Sequence, residues 1–340
     1  MLIELLNTEN EELWDHYACK HPEATIFHLI ACRDIISDQY GFQPFYFMAK
    51  QGDSVQGILP LFLVKGLVSG KRLISIPFSV YGGVCADSIQ IEKKLIGKAV
   101  EEADRLNVNY LECRHLIKKE NPLQTKITYT TFFLDLSRDI DVIFKGFRKS
   151  LRRQINKSMD HNFKIDFSSK DIQSFYQFYS KCLKRFGTPV QSFGWFHALF
   201  TRFPDSHFIA QVKLENKVIA AFLMRKYKGV VSEIVGNDLP EYRYLNPNLY
   251  LQWKLIEYSW KNHYRTYDFG RSIKTSGTYH FKLGWGAVPH KMYYQYYVRR
   301  GRIPDLSQSN SKRILFSKFW RYLPLGMANT LGPVIRNRYP

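Results

Sequence analysis

The stretch Tyr267–Gly286, YDFGRSIKTSGTYHFKLGWG, decides how this chain is read, because strand, turn and chemistry follow one another within it. Tyr267 and Phe269 flank Asp268 with the two-residue period of a buried strand, and Gly270 predicts that the strand breaks there. The polar run of Ser, Thr and Gly that follows reads as a loop delivering an aromatic-lysine pair, Phe281-Lys282, so that one cation is presented near the end of a strand. Asp268 lies between aromatics, where a lone carboxylate is costly; Arg271 is its expected partner, either for chemistry or simply to pin the loop. His280, beside the pair, is a lone histidine of the kind that is more often structural than catalytic.

Outward from this stretch, the chain reads as two halves with one order of elements. In the first, a helix over Ile30–Gln39 precedes a hairpin (PFYFMAK, a Gly52-Asp53 turn, VQGILPLFLV), a helix over Ile91–Leu106 and the strand NYLEC. In the second, helices over Ile172–Phe186 and Gly194–Phe203 precede HFIAQVKL, a Glu215-Asn216 turn, KVIAAFLMRKY, the strand VVSEIVG, a helix over Pro247–Asn262 and TYDFG. Each closing strand is followed by an arginine, Arg114 or Arg271. This predicts an α/β (α+β) chain of two tandem domains, residues 1–135 and 136–300, with mixed, antiparallel-rich sheets flanked by helices, and a basic aromatic tail over 301–340. ITYTTFFLDL reads as the strand that crosses between the halves. Asn246-Pro247 marks a helix start whose free amides suit a phosphate or carboxylate, although any helix of that length needs a cap.

The net charge of +19 is concentrated rather than spread. Lys145–Ser158 carries six basic residues and no acidic one, with Ile143, Phe147, Leu151, Ile155 and Met159 recurring every fourth residue as a packing stripe. Arg148 and Arg152 form an i, i+4 pair able to fork a phosphate or carboxylate. Such a run is either a solvated face or a seat for an anion, since six cations repel one another when nothing anionic visits. The tail segment FSKFWRYLPLGMANTLGPVIRNRY mixes aromatics with cations and no acids, which reads as an interfacial membrane segment or as a tail packed on the body.

The five cysteines lack CxxC spacing, so neither a disulfide framework nor a zinc site is suggested, and a reducing compartment fits. The N-terminus turns acidic where a signal peptide would turn apolar, and no run of about 18 apolar residues occurs. The chain therefore reads as cytoplasmic, with peripheral contact at the inner membrane face through its tail as a further expectation. GxGxxG, GxxxxGK[ST], HExxH and GxSxG are missing.

The segments RKSLRRQINKSMDHNFKI (148–165), LNPNLYLQWKLIEYSWKNHYRTYDFGRS (245–272) and YHFKLGWGA (279–287) together resemble the Fem family of peptidoglycan bridge-forming transferases, built from two acetyltransferase-type (GNAT-like) domains. GFQPFYFMAKQGDSVQGILPLFLVKG (41–66), LISIPFSVYGGVCAD (73–87) and the tail WRYLPLGMANTLGPVIRN (320–337) look most like Fem-related proteins of exopolysaccharide and protein-sorting gene clusters. The resemblance implies transfer of an acyl or aminoacyl group to an amine on a cell-wall or surface-glycan precursor, lipid- or nucleotide-linked. No tightly bound cofactor is implied, and the donor co-substrate is aminoacyl-tRNA or acyl-CoA. Carried over by motif, Phe281-Lys282 matches the family's FK pair, whose lysine sits by the transferred acyl group and can stabilise its oxyanion. Arg148, Arg152 and Arg153 would hold anionic substrate, with Asp268, Arg271 and Asn246 nearby, and Tyr81, Gly82 and Gly83 would line the acceptor side of the first domain. The chain departs from the pattern in having no heptad arm for tRNA and no [QR]xxGx[GA] loop for coenzyme A. A non-catalytic protein holding anionic lipid or polysaccharide is the rival reading, and RNA binding through the cationic helix a third.

Overall fold

The computed structural model describes residues 1–66, 70–303 and 311–337; residues 304–310 and 338–340 of the expected tail lie outside it. The described residues fall into two compact units. One takes in Met1–Tyr129, 291–303 and 334–337, the other Thr130–His290 and Ser311–Pro333.

The first unit opens with β1 (Leu2–Leu5), α1 (Glu11–Lys20) and α2 (Ile30–Tyr40), followed by the meander β2 (Gln43–Gln51), β3 (Ser54–Gly66) and β4 (Gly70–Ile74). A short strand, β5 (Cys85–Ala86), pairs with β3, and α3 (Ile89–Arg105) crosses over to β6 (Tyr110–His115), which runs parallel to β4. β7 (Gln124–Lys126) follows. The second unit holds β8 (Tyr129–Asp135), α4 (Ile140–Lys145), α5 (Lys149–Met159), β9 (Phe163–Ser169), α6 (Ile172–Arg185) and α7 (Phe193–Arg202). Then come β10 (His207–Leu214), β11 (Lys217–Tyr227), β12 (Val230–Asp238), α8 (Pro247–Lys261), β13 (Thr266–Ile273), α9 (Gly277–Gly284) and β14 (Val288–Lys291). After these, β15 (Tyr293–Val298) belongs to the first unit's sheet, and α10 (Ser311–Tyr322) and α11 (Leu325–Arg336) end the described chain.

The duplication expected from sequence is present. In β2-β3-β4-α3-β6 and again in β10-β11-β12-α8-β13, three antiparallel strands are followed by a crossover helix and a strand parallel to the third. The sheet orders are β1-β2-β3-β4-β6-β15-β7 and β14-β8-β13-β12-β11-β10-β9. Apolar strand faces and helix stripes close a core in each unit, around Phe47, Leu61 and Leu111 in the first and Phe132, Trp253 and Trp285 in the second. The units divide between Tyr129 and Thr130. Residues 293–298, expected in the second domain, pair with β6 from Tyr293↔His115 to Val298↔Tyr110. The reason is that β6 would otherwise be an open sheet edge.

Arg114 does not follow its strand but lies within β6, buried with Glu112 at 2.6 Å and donating to the Ser79 carbonyl at 2.9 Å. Tyr81, Gly82 and Gly83 are likewise buried in the first unit. Gly82 adopts φ +152° and donates its amide to the Arg114 carbonyl, while the Gly83 carbonyl faces His28 Nε2 at 2.9 Å. A Cβ on Gly83 would come within 2.2 Å of the His115 ring, so close packing explains this glycine without any substrate. Gly83→Ala is expected to destabilise the fold by about 1–3 kcal/mol, the usual cost of overpacking, and to lower the melting temperature measured by calorimetry. An unchanged melting temperature would argue instead for an open, ligand-lining position.

Candidate functional site

β12 and β13 are in parallel register only over Val230↔Thr266, Val231↔Tyr267 and Ser232↔Asp268, although each strand runs on for five or more residues. Ends of parallel strands that part company are where α/β sheets open a crevice. Three ionisable groups collect at this point: Glu233 on β12, Asp268 on β13 and Lys282 on α9.

Lys282 is reached differently from the sequence expectation. β13 does not end at Gly270 but continues to Ile273, with Gly270 at φ +71°, a left-handed conformation that glycine adopts without strain. The lysine then comes not from a loop but from the last turn of α9, whose N-terminus is capped by Ser276 accepting from the Tyr279 amide. Its side chain is buried, and Nζ donates to two successive carbonyls of β13, Gly270 at 2.9 Å and Arg271 at 3.1 Å. Both acceptors belong to the stretch of β13 past its last register pair with β12, and they fix the ammonium in place. The Phe132 ring lies below, its centroid 5.6 Å from Nζ.

Asp268 is also buried, and accepts from Thr131 Oγ1 at 2.9 Å and from the Gly270 amide at 2.8 Å, contacts that hold its carboxylate in place. Arg271 is exposed and lies within β13 rather than after it. Glu233, which sequence reasoning passed over, accepts from Tyr267 Oη at 2.9 Å and from Gln252 Nε2. Burial pushes its carboxyl up to about 8, against the opposing pull of the Lys282 charge and the Tyr267 hydrogen bond. Burial pulls Lys282 down in turn, while Glu233 and Asp268 hold its charge in place. The charge on each therefore bears on the protonation of the other. The signal that could have found Glu233 was present in VVSEIVG: a single carboxylate inside an apolar strand is expensive unless it is used.

The basic run is two helices, not one. α4 ends at Lys145, and Arg148 is the residue before α5, without a side-chain cap. Ile143, Phe147, Leu151 and Ile155 form the buried stripe as expected, while Met159 is exposed. The Arg148 amide donates to the Gly284 carbonyl at 2.8 Å, and its guanidinium lies over Gly284, two residues beyond Lys282. This joins the start of α5 to the end of α9. Arg148, Lys149 and Arg153 are exposed, whereas Arg152 is half-buried with Nε shielded from water and without a hydrogen-bond partner among the described residues. Cations at a helix N-terminus oppose the macrodipole and one another. No acidic residue within α5 offsets either cost.

Phe281 is half-buried, edge-on to Trp285 at 6.0 Å, so its visible contribution is to seat α9. Asn246 precedes α8 at φ 56°, ψ 43° and makes no side-chain cap; Pro247 holds the first helical position as expected. The left-handed backbone there turns the side chain away from the capping geometry.

Residues 145–283 match the acetyltransferase (GNAT) domain family. Among solved structures, FemX superposes with a TM-score of 0.68 at 13% identity, covering 86% of this chain and 97% of that one. L-PGS from Bacillus licheniformis gives 0.57 at 14% identity, covering 94% and 99%. A tandem GNAT protein from the clavulanic acid biosynthesis pathway gives 0.57 at 10%, covering 89% and 100%. No curated protein is similar enough in sequence to count as a match. Lys282, Glu233, Asp268 and the start of α5 thus all lie within the stretch that matches the acetyltransferase (GNAT) domain family, and the chain as a whole shares its fold with FemX and with that tandem GNAT protein.

Proposed function

We propose that this protein transfers an acyl or aminoacyl group from a carrier to an amine on a cell-wall or surface-glycan precursor, lipid- or nucleotide-linked, at the cytoplasmic membrane face. The observation that carries the reading is the placing of Lys282, held by the Gly270 and Arg271 carbonyls, and of Glu233, held by Tyr267, where β12 and β13 part. FemX and L-PGS share the fold, which supports aminoacyl transfer in an envelope setting as the class of reaction.

In this reading the amine attacks the carbonyl carbon of the donor ester or thioester. The carbonyl oxygen takes the electron pair and becomes an oxyanion, stabilised by the Lys282 ammonium, which its two carbonyl partners hold in place. Glu233 as carboxylate accepts the proton that the nitrogen gives up, and collapse of the intermediate breaks the bond to the carrier, whose oxygen or sulfur takes that proton back from Glu233. No covalent enzyme intermediate is required. Aminoacyl-tRNA and acyl-CoA are both polyphosphates, and the uncompensated cations of Arg148, Lys149, Arg152 and Arg153 suit either.

Thermal unfolding separates the donors. Saturation with the true donor at a hundred times Kd stabilises by about 2.7 kcal/mol, roughly 4 °C for a protein of this size. A shift with charged tRNA alone or acyl-CoA alone names the carrier, and Arg152→Gln is expected to reduce it. No shift with either would sink the reading in favour of a non-catalytic binding protein.

A further inference from the structure

We propose that α10 and α11 lie on the surface of an anionic lipid bilayer. The inference stands on surface chemistry and is independent of the transfer reaction. One side of each helix is committed to the protein. Trp320 is fully buried and stacks on Phe316 at 5.4 Å, Ser317 Oγ donates to the Phe186 carbonyl at 3.1 Å, and Lys184 Nζ donates to the Arg321 carbonyl at 3.0 Å. On α11, Ala328 is buried, and Gly332 approaches Val190 so closely that a Cβ would meet its backbone at 3.0 Å. These contacts fix the helices to the second unit and decide which sides remain free.

The free sides are apolar. On α10, Leu315, Phe319 and Tyr322 are between 63% and 88% exposed; on α11, Met327, Leu331 and Val334 are between 41% and 52% exposed. Both triplets have the i, i+4, i+7 spacing of a single helical stripe. Two successive helices that leave matching apolar stripes in water are paying for an interaction elsewhere. The exposed Lys318 and Arg321 flank the first stripe, and from residue 306 to 340 the sequence carries six basic residues and no acidic one. Protein interfaces are depleted in lysine at their core, whereas a cationic rim around aromatic and aliphatic side chains is what an anionic interface selects. Among the described residues no helix is long and apolar enough to cross a membrane, so the proposed contact of α10 and α11 is with the bilayer surface.

The full-length protein should float with vesicles of phosphatidylglycerol and phosphatidylcholine, and bind pure phosphatidylcholine vesicles weakly. The pair Phe319→Glu and Leu331→Glu should weaken flotation by roughly tenfold or more, the order expected when interfacial apolar side chains become charged. Both positions are exposed, so the melting temperature should hold, which shows that the loss is not unfolding. Lys318→Gln with Arg321→Gln should weaken binding to anionic vesicles and reduce its salt dependence. Equal flotation of wild type and the glutamate variant, no binding by the wild type, or burial of the stripes in a dimer seen by sedimentation would each overturn the proposal. Transfer assayed with water-soluble substrates should persist in the glutamate variant, so failure of membrane docking and failure of the transferase reading are distinguishable.

Discussion

Lys282→Met is expected to lower kcat by about a hundred- to a thousandfold, the loss typical of removing one preorganised oxyanion donor. Methionine keeps the length and apolar stem, so α9 should stay seated between Phe132 and Trp285 while the charge disappears. The stability effect has two opposing parts. The Gly270 and Arg271 carbonyls lose their donor, a cost of about 1–3 kcal/mol if water does not replace it, whereas the desolvation penalty of a buried ammonium is removed. Lys282 is buried rather than free at a loop tip, so a fall in activity has to be separated from a fall in folded protein. Steady-state kinetics should therefore be compared with calorimetry on the same samples. Lys282→Arg tests the geometry: a guanidinium is larger and planar, and should fit the two-carbonyl seat poorly. Wild-type kcat in Lys282→Met, with the fold intact, would remove the lysine from the mechanism.

The same site shows where sequence reasoning reaches and where it stops. Strand alternation at Tyr267 and Phe269 and the marked start at Pro247 are local signals, and the structure keeps them as β13 and α8. The duplicated order was legible because each half repeats its turns and apolar runs. The stretch from Ser276 to Gly284 was less so, because Gly277 and Gly284 suggest a loop; only Ser276, a good cap, signalled α9. In Ile143–Met159 the apolar spacing carries on across Gly146, so periodicity alone could not show that α4 and α5 are separate. Pairings far apart in sequence were out of reach: YYQYYV is visibly strand-like, but nothing local says that its partner is β6, almost two hundred residues earlier. Glu233 belongs to the same class. Its meaning depends on Tyr267, Gln252 and Lys282, which only folding assembles.

Glu233→Gln is the second large effect expected, a loss of about a hundred- to ten-thousandfold in kcat, the range for removing a general base. The pH dependence gives the more specific readout. Burial raises the carboxyl to about 8, so the basic form is the minor one at pH 7. Activity should climb as pH rises and level off above about 8, and the Gln variant should lose this limb along with its rate. Tyr267→Phe removes a hydrogen bond that favours the carboxylate, and should move the limb to higher pH while leaving the plateau rate close to wild type; a purely structural role for Tyr267 would lower the rate without moving the limb. Stability follows the same titration with the opposite sign. The folded protein holds the Glu233 proton to higher pH than an unfolded glutamate does, near 4.5, so this group's contribution is fully present below about pH 4.5 and is lost as pH rises through about 8. Lys282, lowered by burial, contributes in the reverse sense, fully above its unfolded value near 10.5 and less as pH falls. Because the two are coupled, Glu233→Gln should both flatten the stability profile between pH 4.5 and 8 and lower the Lys282 pKa further by removing its counter-charge. A rate limb that survives unchanged in Glu233→Gln would assign the proton transfer to another group, with Asp268, held by Thr131 and the Gly270 amide in the same site, as the next to test.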